Sequence, residues 1–269
     1  MIIYGSMTGL SIGSLFLGGM ISGLMIGVSI MIIAYYYARK RGYKSQPKAT
    51  FGERWLAFKN SAIALVMPII ILGGILTGIF TATEAGVVAV VYALIVGFGL
   101  KELKLNRMKH ILVDSAITTS ITLLIISAAS LFGWLLATEQ FPQRLVKMLL
   151  SITHNPSIIL LILMGMLLII GLFIEGLAAL IILVPVLAPM AVQFGYDPIH
   201  FAVLVVVVIL IGAVTPPVGL LLFIAASIAR IKLSEASRII WPFVGAMIVI
   251  ALLVAYIPSL VTFLPKLFL

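Results

Sequence analysis

A long hydrophobic segment from His200 to Ala229 is interrupted near its centre by Gly-Ala-Val-Thr-Pro-Pro-Val-Gly, residues 212–219. The segment has roughly the length that a helix needs to cross a ~30 Å hydrocarbon core, so the interruption falls near mid-membrane. Two prolines remove two backbone donors, and Pro217 disfavours the helical conformation of Pro216. Unpaired backbone groups survive in lipid only where protein covers them or where they line a cavity. The interruption therefore predicts either a packed proline kink or the broken helix of a transporter's binding site.

The composition excludes a soluble globular protein. Hydrophobic residues make up 63% of the chain and charged residues only 9%, whereas about 25% of a soluble domain is charged. The absence of cysteine excludes disulfides, thiolate metal sites and a cysteine nucleophile. The three histidines lie at the ends of apolar segments without metal-ligand spacing, which argues against an intramembrane protease and against an enzyme in general. No cofactor is predicted.

Lysine and arginine orient the apolar segments in the membrane. The chain contains 17 of these residues, and seven, four and three of them fall in the segments 39–59, 101–109 and 230–238. The remaining three are Arg144, Lys147 and Lys266. Because cytoplasmic loops are enriched in Lys and Arg, we assign the three basic segments to the cytoplasm. Topology thus explains the net charge of +9 better than nucleic-acid binding does.

The apolar segment Ser157–Gln193 has a central break at Gly171–Ala178 that contains Glu175. A carboxylate costs ~2.5 to 3.5 kcal/mol at mid-bilayer on insertion scales unless a partner or water meets it. The flanking prolines and the charged break favour a hairpin that enters and leaves from the outside, although two complete spans fit the same topology. Glu175 is accordingly either a cation ligand or tip residue near substrate, or a residue at the inner surface.

A second break, at residues 78–84, ends in Thr81-Ala82-Thr83-Glu84. This is the Ser/Thr-x-x-Glu pattern of a capping box, in which the first and last side chains bond each other's backbone amides. The pattern predicts that a helix begins after Thr81. This local role explains Glu84 better than an ion site does.

Three motifs occur in a fixed order. They are Gly-Ile-Phe-Thr-Ala-Thr-Glu-Ala-Gly within Gly78–Tyr92, Gly-Leu-Phe-Ile-Glu-Gly-Leu-Ala-Ala-Leu-Ile-Ile-Leu-Val-Pro with the later Gly195–Pro198 turn, and Ile211-Gly212 through Thr-Pro-Pro-Val-Gly. Together they resemble the large membrane subunit of TRAP transporters, the DctM type. Met1–Gly5 resembles the end of the family's first broken helix, so we expect the sequence to be a C-terminal part of such a subunit.

The resemblance implies an all-α polytopic membrane protein of the bacterial inner membrane. The fold implied is the second inverted repeat of an elevator-type transporter, with a re-entrant helical hairpin and a broken transmembrane helix. The function implied is sodium-coupled import of small organic acids, such as dicarboxylates or sialic acid. The partners implied are a small membrane subunit and a periplasmic solute-binding protein. The alternatives are a truncated, non-transporting fragment and another ion-coupled carboxylate transporter of the same superfamily.

The resemblance also implies residue roles. The predicted substrate-binding residues are Glu175, Gly176, Ala178 and Pro217. The predicted sodium ligands, through backbone carbonyls and the Thr215 hydroxyl, are Gly171, Gly212, Thr215, Pro216 and Gly219. The family often has Asp-Thr where this chain has Glu175-Gly176, and Asn where it has Val208 and Leu221. These departures remove a hydroxyl and amides that the family has at those positions, and they do not affect the predicted carbonyl ligands.

The same reasoning divides the chain into six segments. They are 1–60, the end of the first repeat with one span and a cytoplasmic surface helix; 61–138, three spans; 139–155, an amphipathic connector; 156–193, the hairpin; 199–229, the broken helix; and 237–258, the last span.

Overall fold

The computed structural model describes residues 1–43 and 48–268, with the side chain of Asn60 left out. Lys44, part of the predicted basic loop, lies outside the described residues. Within these ranges the chain forms twelve helices and no strand. They are α1 (Ile2–Thr8), α2 (Ile12–Lys40), α3 (Phe51–Leu76), α4 (Ala82–Gly99), α5 (Leu105–Thr138), α6 (Phe141–Ile152), α7 (Pro156–Phe173), α8 (Gly176–Gln193), α9 (Pro198–Val214), α10 (Leu220–Ala229), α11 (Leu233–Tyr256) and α12 (Ser259–Phe268).

Six helices, α2, α4, α5, α7, α8 and α11, are long and apolar enough to cross a membrane. Helix α3 adds a seventh candidate, with a bend of 51° between Phe51–Lys59 and Ser61–Leu76. The prediction of an all-α polytopic membrane protein is therefore confirmed. The chain divides into two compact units, Met1–Arg41 with Ile125–Leu269, and Gly42–Leu124.

The unit Gly42–Leu124 is organised by the pairing of α3 with α4. The Tyr92 hydroxyl on α4 donates to the Ile63 carbonyl on α3 at 2.6 Å. The predicted capping box is confirmed, because the Thr81 hydroxyl accepts from the Glu84 amide at 3.3 Å and the Glu84 carboxylate accepts from the Thr81 amide at 2.8 Å. Capping the start of α4 is therefore a sufficient role for the Thr81 hydroxyl and the Glu84 carboxylate.

Helix α9 is the centre of the other unit. Its sequence is apolar around the whole circumference, a pattern typical of a helix enclosed by others. The structure agrees, since thirteen of its seventeen residues are buried and α2, α7, α8 and α11 pack around it. Because lipid is as apolar as these side chains, close packing rather than exclusion from water stabilises this arrangement.

Side-chain hydrogen bonds tie together the start of α7, the start of α9 and the end of α11. The Tyr196 hydroxyl donates to the Pro156 carbonyl at 2.6 Å, and the Tyr256 hydroxyl donates to the Ser157 carbonyl at 3.3 Å. The buried His200 Nε2 lies 2.8 Å from the Val254 carbonyl. Burial, and secondarily the neighbouring Tyr256, raises the pKa of Tyr196 to about 12, so its hydroxyl remains a donor to a higher pH than an ordinary tyrosine does.

The segment after Pro258 is helical, although no helix is predicted there from the sequence. It forms helix α12, which packs against α2. Val261, Thr262 and Pro265 are buried, and their spacing places them on one face of the helix. The prolines Pro258 and Pro265 concealed this amphipathic pattern in the sequence.

The predicted hairpin consists of α7 and α8, of 18 residues each. At 1.5 Å per residue each helix is about 27 Å long, and each has the length and composition of a membrane span. Helix length therefore fits both the hairpin and the double span, and the hairpin stays a prediction, as do the six segment boundaries.

Candidate ion and substrate site

The broken helix opens at Thr215. Helix α9 ends at Val214, and Thr215 is extended, with φ −86° and ψ 134°. The next regular helix, α10, begins only after Gly219. The peptide bond between Pro216 and Pro217 is cis. Because proline has no backbone N–H, Pro216 and Pro217 cannot continue the helical hydrogen bonds, and the break occurs where the sequence predicts it.

The Thr215 hydroxyl is oriented by the helix that it terminates. Its Oγ1 donates to the Ile211 carbonyl at 2.6 Å, while the Thr215 amide donates to the Gly212 carbonyl at 2.9 Å. A hydroxyl that has given its proton to a carbonyl keeps its lone pairs for another partner. Thr215 can therefore present an oxygen to a cation without first breaking this hydrogen bond.

Gly219 lies directly against the same turn. Its φ is +44°, in the left-handed region that favours glycine. A Cβ atom at this position would lie 2.9 Å from the Thr215 carbonyl oxygen. The missing side chain thus serves two purposes, since it permits the backbone conformation and leaves room for the carbonyl.

The other break, between α7 and α8, comprises Ile174 and Glu175. The Glu175 carboxylate accepts a hydrogen bond from the Ala178 amide at 2.9 Å, and so caps α8. Its side chain is exposed. Capping α8 is a third role for Glu175, beside the two that the sequence suggested, and this local role is sufficient to explain the carboxylate.

Two glycines bring the two breaks together. A Cβ on Gly171 of α7 would lie 2.7 Å from the Ile209 carbonyl oxygen and 3.0 Å from Gly212 Cα. A Cβ on Gly212 of α9 would lie 2.7 Å from the Leu168 carbonyl oxygen and 2.8 Å from Gly171 Cα. The helices therefore cross in backbone contact, a closeness that only small residues permit.

The first residue of α8 also lies against α9. A Cβ on Gly176 would be 3.7 Å from Ile209 and 3.6 Å from Leu210 side-chain atoms. The predicted residues Gly171, Gly176 and Gly212 therefore share one location, just before the opening at Thr215. The family resemblance predicts ion or substrate roles for these glycines, and those roles stay predictions. No sequence pattern indicated that the same glycines form the contact surface between α7, α8 and α9.

The remaining predicted residues differ in exposure. Pro216 and Gly219 are buried, Ala178 and Thr215 are half-buried, and Pro217 is exposed. Among the residues that the structure describes, no group of three or more His, Asp or Glu could hold a metal ion. The oxygen atoms that the broken helix itself offers are backbone carbonyls and the Thr215 hydroxyl, ligands that suit a hard monovalent ion better than a transition metal.

Comparison with known proteins identifies the family. Residues 1–260 match the sequence model of the Tripartite ATP-independent periplasmic transporter, DctM component. The chain belongs to the DctM family.

Other DctM-type proteins are similar over almost the whole chain. The sialic acid TRAP transporter large permease protein SiaM of Vibrio cholerae is 38% identical over 270 residues, which cover 100% of this chain and 63% of SiaM. The C4-dicarboxylate TRAP transporter large permease protein DctM of Pseudomonas aeruginosa is 36% identical, over 99% of this chain and 62% of that protein. The isethionate TRAP transporter permease protein DctMQ of Oleidesulfovibrio alaskensis is 37% identical, over 97% of this chain and 42% of that protein.

The chain thus spans less than two thirds of the length of these relatives. They carry the names of transporter permeases and not of enzymes, in agreement with the expectation from the sequence. Membership of the DctM family together with at least six apolar spans makes this a multi-pass protein of the bacterial inner membrane.

The cap formed by Glu175 leads to a test of its role. Glu175→Asn, which keeps a side-chain acceptor at the N-cap, is expected to retain stability, whereas Glu175→Ala is expected to lose about 1 kcal/mol. Thermal unfolding of the detergent-purified proteins measures this difference. If Glu175 were instead a cation ligand, both neutral variants would lose the stabilisation that the bound ion provides, and Glu175→Asn would be as unstable as Glu175→Ala.

Proposed function

We propose that this chain is part of the membrane subunit of a sodium-coupled secondary transporter that imports small organic acids. The observation that carries the proposal is the packing of Gly171 and Gly176 of α7 and α8 against α9, immediately before α9 opens at Thr215. Broken helices that meet in this way supply oxygen ligands and helix ends of both signs within an apolar environment.

The sodium site in this proposal consists of backbone oxygens near the crossing and the Thr215 hydroxyl. The carbonyls of Gly171, Gly212, Pro216 and Gly219 are the proposed ligands beside it. Such dipolar ligands hold a monovalent cation without burying a full negative charge, which is costly in a membrane. Each sodium ion that moves inward releases ~2.3 kcal/mol per 100 mV of membrane potential, and this energy drives accumulation of the acid.

The anionic substrate is proposed to lie near Glu175, Gly176, Ala178 and Pro217, which belong to the break between α7 and α8, the start of α8 and the break after α9. The N-terminus of α10 supports this location, because its cap residue Gly219 provides no side-chain hydrogen bond. The first amides of α10 therefore keep donors for a carboxylate, and the helix dipole favours negative charge there. The amide of Ala178 in α8, by contrast, is already bonded to Glu175.

The names of the relatives indicate the class of substrate and the assembly. Sialic acid, a C4-dicarboxylate and isethionate are all small organic acids, and the family description specifies a tripartite periplasmic transporter. We propose accordingly that the chain works with a small membrane subunit and a periplasmic solute-binding protein. The proposed movement is of the elevator type, between two inverted repeats of which this chain contains the second.

The test is uptake of labelled organic acids into proteoliposomes that contain this chain, its small subunit and its binding protein, at increasing external sodium. Thr215→Val removes the hydroxyl but preserves the shape of the side chain. Loss of one ligand to a charged group is expected to raise the half-saturating sodium concentration at least about tenfold.

Thr215→Ser, which keeps the hydroxyl, is the matched control and is expected to retain the sodium dependence. Unchanged sodium dependence in the valine variant would remove Thr215 from the site. Uptake that needs no sodium gradient at all would contradict the proposed coupling.

A further inference from the structure

An apolar groove lies between α2 and α11, away from the breaks. It has a volume of about 330 Å³ and is lined by Leu24, Met25, Val28, Ser29, Ile32 and Ile250. Its one polar liner, Ser29, donates its hydroxyl to the Ile26 carbonyl at 2.8 Å. The groove consequently offers no free hydroxyl proton, and its surface suits a hydrocarbon chain.

The dimensions of this α2–α11 groove fit one leaflet of a bilayer. From Leu24 to Ile32 the helix rises about 12 Å, at 1.5 Å per residue. One leaflet contributes about half of the ~30 Å hydrocarbon core. An acyl chain lying along α2 can therefore occupy the groove over most of a leaflet's depth.

The C-terminal end of α2 carries three consecutive aromatic–cation pairs, which we term the basic collar. Arg39 lies 5.6 Å from the Tyr35 ring centroid, Lys40 lies 5.9 Å from that of Tyr36, and Arg41 lies 5.7 Å from that of Tyr37. Each cation sits one turn beyond its ring, so the pairs hold positive charge around the helix end.

One aromatic residue of the basic collar packs against α11, and the other two are exposed. Tyr37 stacks on Phe243 of α11, with ring centroids 6.4 Å apart and planes inclined by 25°. Tyr35 and Tyr36, by contrast, are 63% and 59% exposed. Two of the three aromatic–cation pairs therefore face the surroundings of the helix.

The exposed part of the basic collar continues the groove. At 3.6 residues per turn, Tyr35, Tyr36 and Arg39 fall within the arc of about 140° that the groove residues of α2 occupy. Lys40 falls about 20° beyond the edge of this arc, close enough for its long side chain to reach the mouth of the groove. Tyr37 and Arg41 fall further outside, on the side of the stack with Phe243. The groove thus leads toward two tyrosines and a guanidinium at the membrane end that the lysine and arginine distribution assigns to the cytoplasm.

We infer that the α2–α11 groove and the adjoining part of the basic collar bind an anionic phospholipid of the cytoplasmic leaflet. The acyl chain lies against Val28 and Ile32, and the phosphate is bound by Arg39 and Lys40. Charge complementarity decides for an anionic lipid, since two cations at the mouth of the groove attract a net negative headgroup more strongly than a zwitterionic one. The tyrosines at this depth suit the interface between hydrocarbon and headgroups.

Native mass spectrometry of the detergent-purified chain tests this inference. The wild type is incubated with equal amounts of phosphatidylglycerol and phosphatidylethanolamine of identical acyl chains, and bound lipid is counted. Arg39→Gln combined with Lys40→Gln is expected to reduce the preference for phosphatidylglycerol roughly 10- to 30-fold, given ~1 kcal/mol per basic residue near an anionic surface.

Two further variants distinguish binding in the groove from a general attraction of the positively charged chain for anionic lipid. Lys104→Gln combined with Arg107→Gln removes the same charge just before and in the first turn of α5, and is expected to leave the preference intact. Val28→Trp fills the groove without changing the charge and is expected to lower retention of both lipids. A photoreactive acyl chain is expected to label residues 24–32.

Equal retention of the two lipids by the wild type would overturn the inference. An equal loss of the preference for phosphatidylglycerol in the Arg39/Lys40 and the Lys104/Arg107 double variants would also overturn it, since the preference would then depend only on the total charge of the chain. Cross-linking of the groove to another protein segment in the assembled transporter would show that protein, and not lipid, fills it.

Discussion

Replacing Gly171 with alanine is expected to force α7 away from α9 and to cause the largest loss of stability of any single methyl addition considered for this chain. The new Cβ would lie 2.7 Å from the Ile209 carbonyl oxygen and 3.0 Å from Gly212 Cα. Both atoms belong to a buried helix backbone, which cannot rotate aside as a flexible side chain can. Overpacking costs about 1–3 kcal/mol where side chains can adjust, and we expect a value at or above the upper end.

The matched control lies on the same helix. Gly165 is also in α7, but no heavy atom lies within 4 Å of the Cβ position there. Gly165→Ala is expected to leave stability unchanged or to raise it by up to about 1 kcal/mol, because alanine is the better helix former. Thermal unfolding of both variants in detergent, followed by size-exclusion chromatography, measures the contrast.

Equal unfolding temperatures for the two variants would mean that α7 and α9 do not cross in backbone contact. Sodium-dependent uptake by the Gly171→Ala variant tests separately whether this helix contact matters for transport. If the crossing also positions the ion ligands, Gly171→Ala abolishes uptake even at temperatures where the variant remains folded.

Gly219→Ala is expected to damage ion binding more than stability. The left-handed conformation costs an L-residue about 1–2 kcal/mol, and the Cβ would also lie 2.9 Å from the Thr215 carbonyl oxygen. To relieve this contact the carbonyl or the start of α10 must shift. We expect the half-saturating sodium concentration for uptake to rise at least about tenfold, as in Thr215→Val, because both changes disturb oxygen atoms of the same turn.

Gly195→Ala isolates the cost of backbone conformation. Gly195 has φ +71°, and no heavy atom lies within 4 Å of its Cβ position. Its replacement is expected to lower the unfolding temperature by a similar amount and to leave the sodium dependence of uptake unchanged. If both glycine variants keep the wild-type sodium dependence, the Thr215 carbonyl is not part of an ion site.

Prediction from the sequence succeeded where a local rule decides the structure. The prolines at 216 and 217 determine the break in the His200–Ala229 segment, and the Thr81–Glu84 pattern determines the start of α4. The continuous valine and isoleucine sequence of α9 is explained by enclosure on all sides. The family could also be predicted from the sequence, because three of its motifs occur in the same order along the chain.

Other features depend on contacts between residues distant in sequence. The approach of Gly171 to Gly212 requires the crossing of α7 and α9, which no local pattern encodes. Helix α12 was missed because two prolines obscured its short apolar face. The capping role of Glu175 was also not recognised, since glutamate is not among the preferred N-cap residues. The ion and substrate roles of the predicted site residues remain predictions.

The hydrogen bonds of Tyr196, Tyr256 and His200 have a mechanical consequence. They fasten α7, α9 and α11 at one end, while Gly212 lies about 18 Å further along α9 from His200. With that end acting as a pivot, a tilt of about 5° displaces the backbone at Gly212 by about 1.6 Å over this lever arm. A small angular movement is therefore enough to change the distances between the proposed oxygen ligands, with no helix having to unwind.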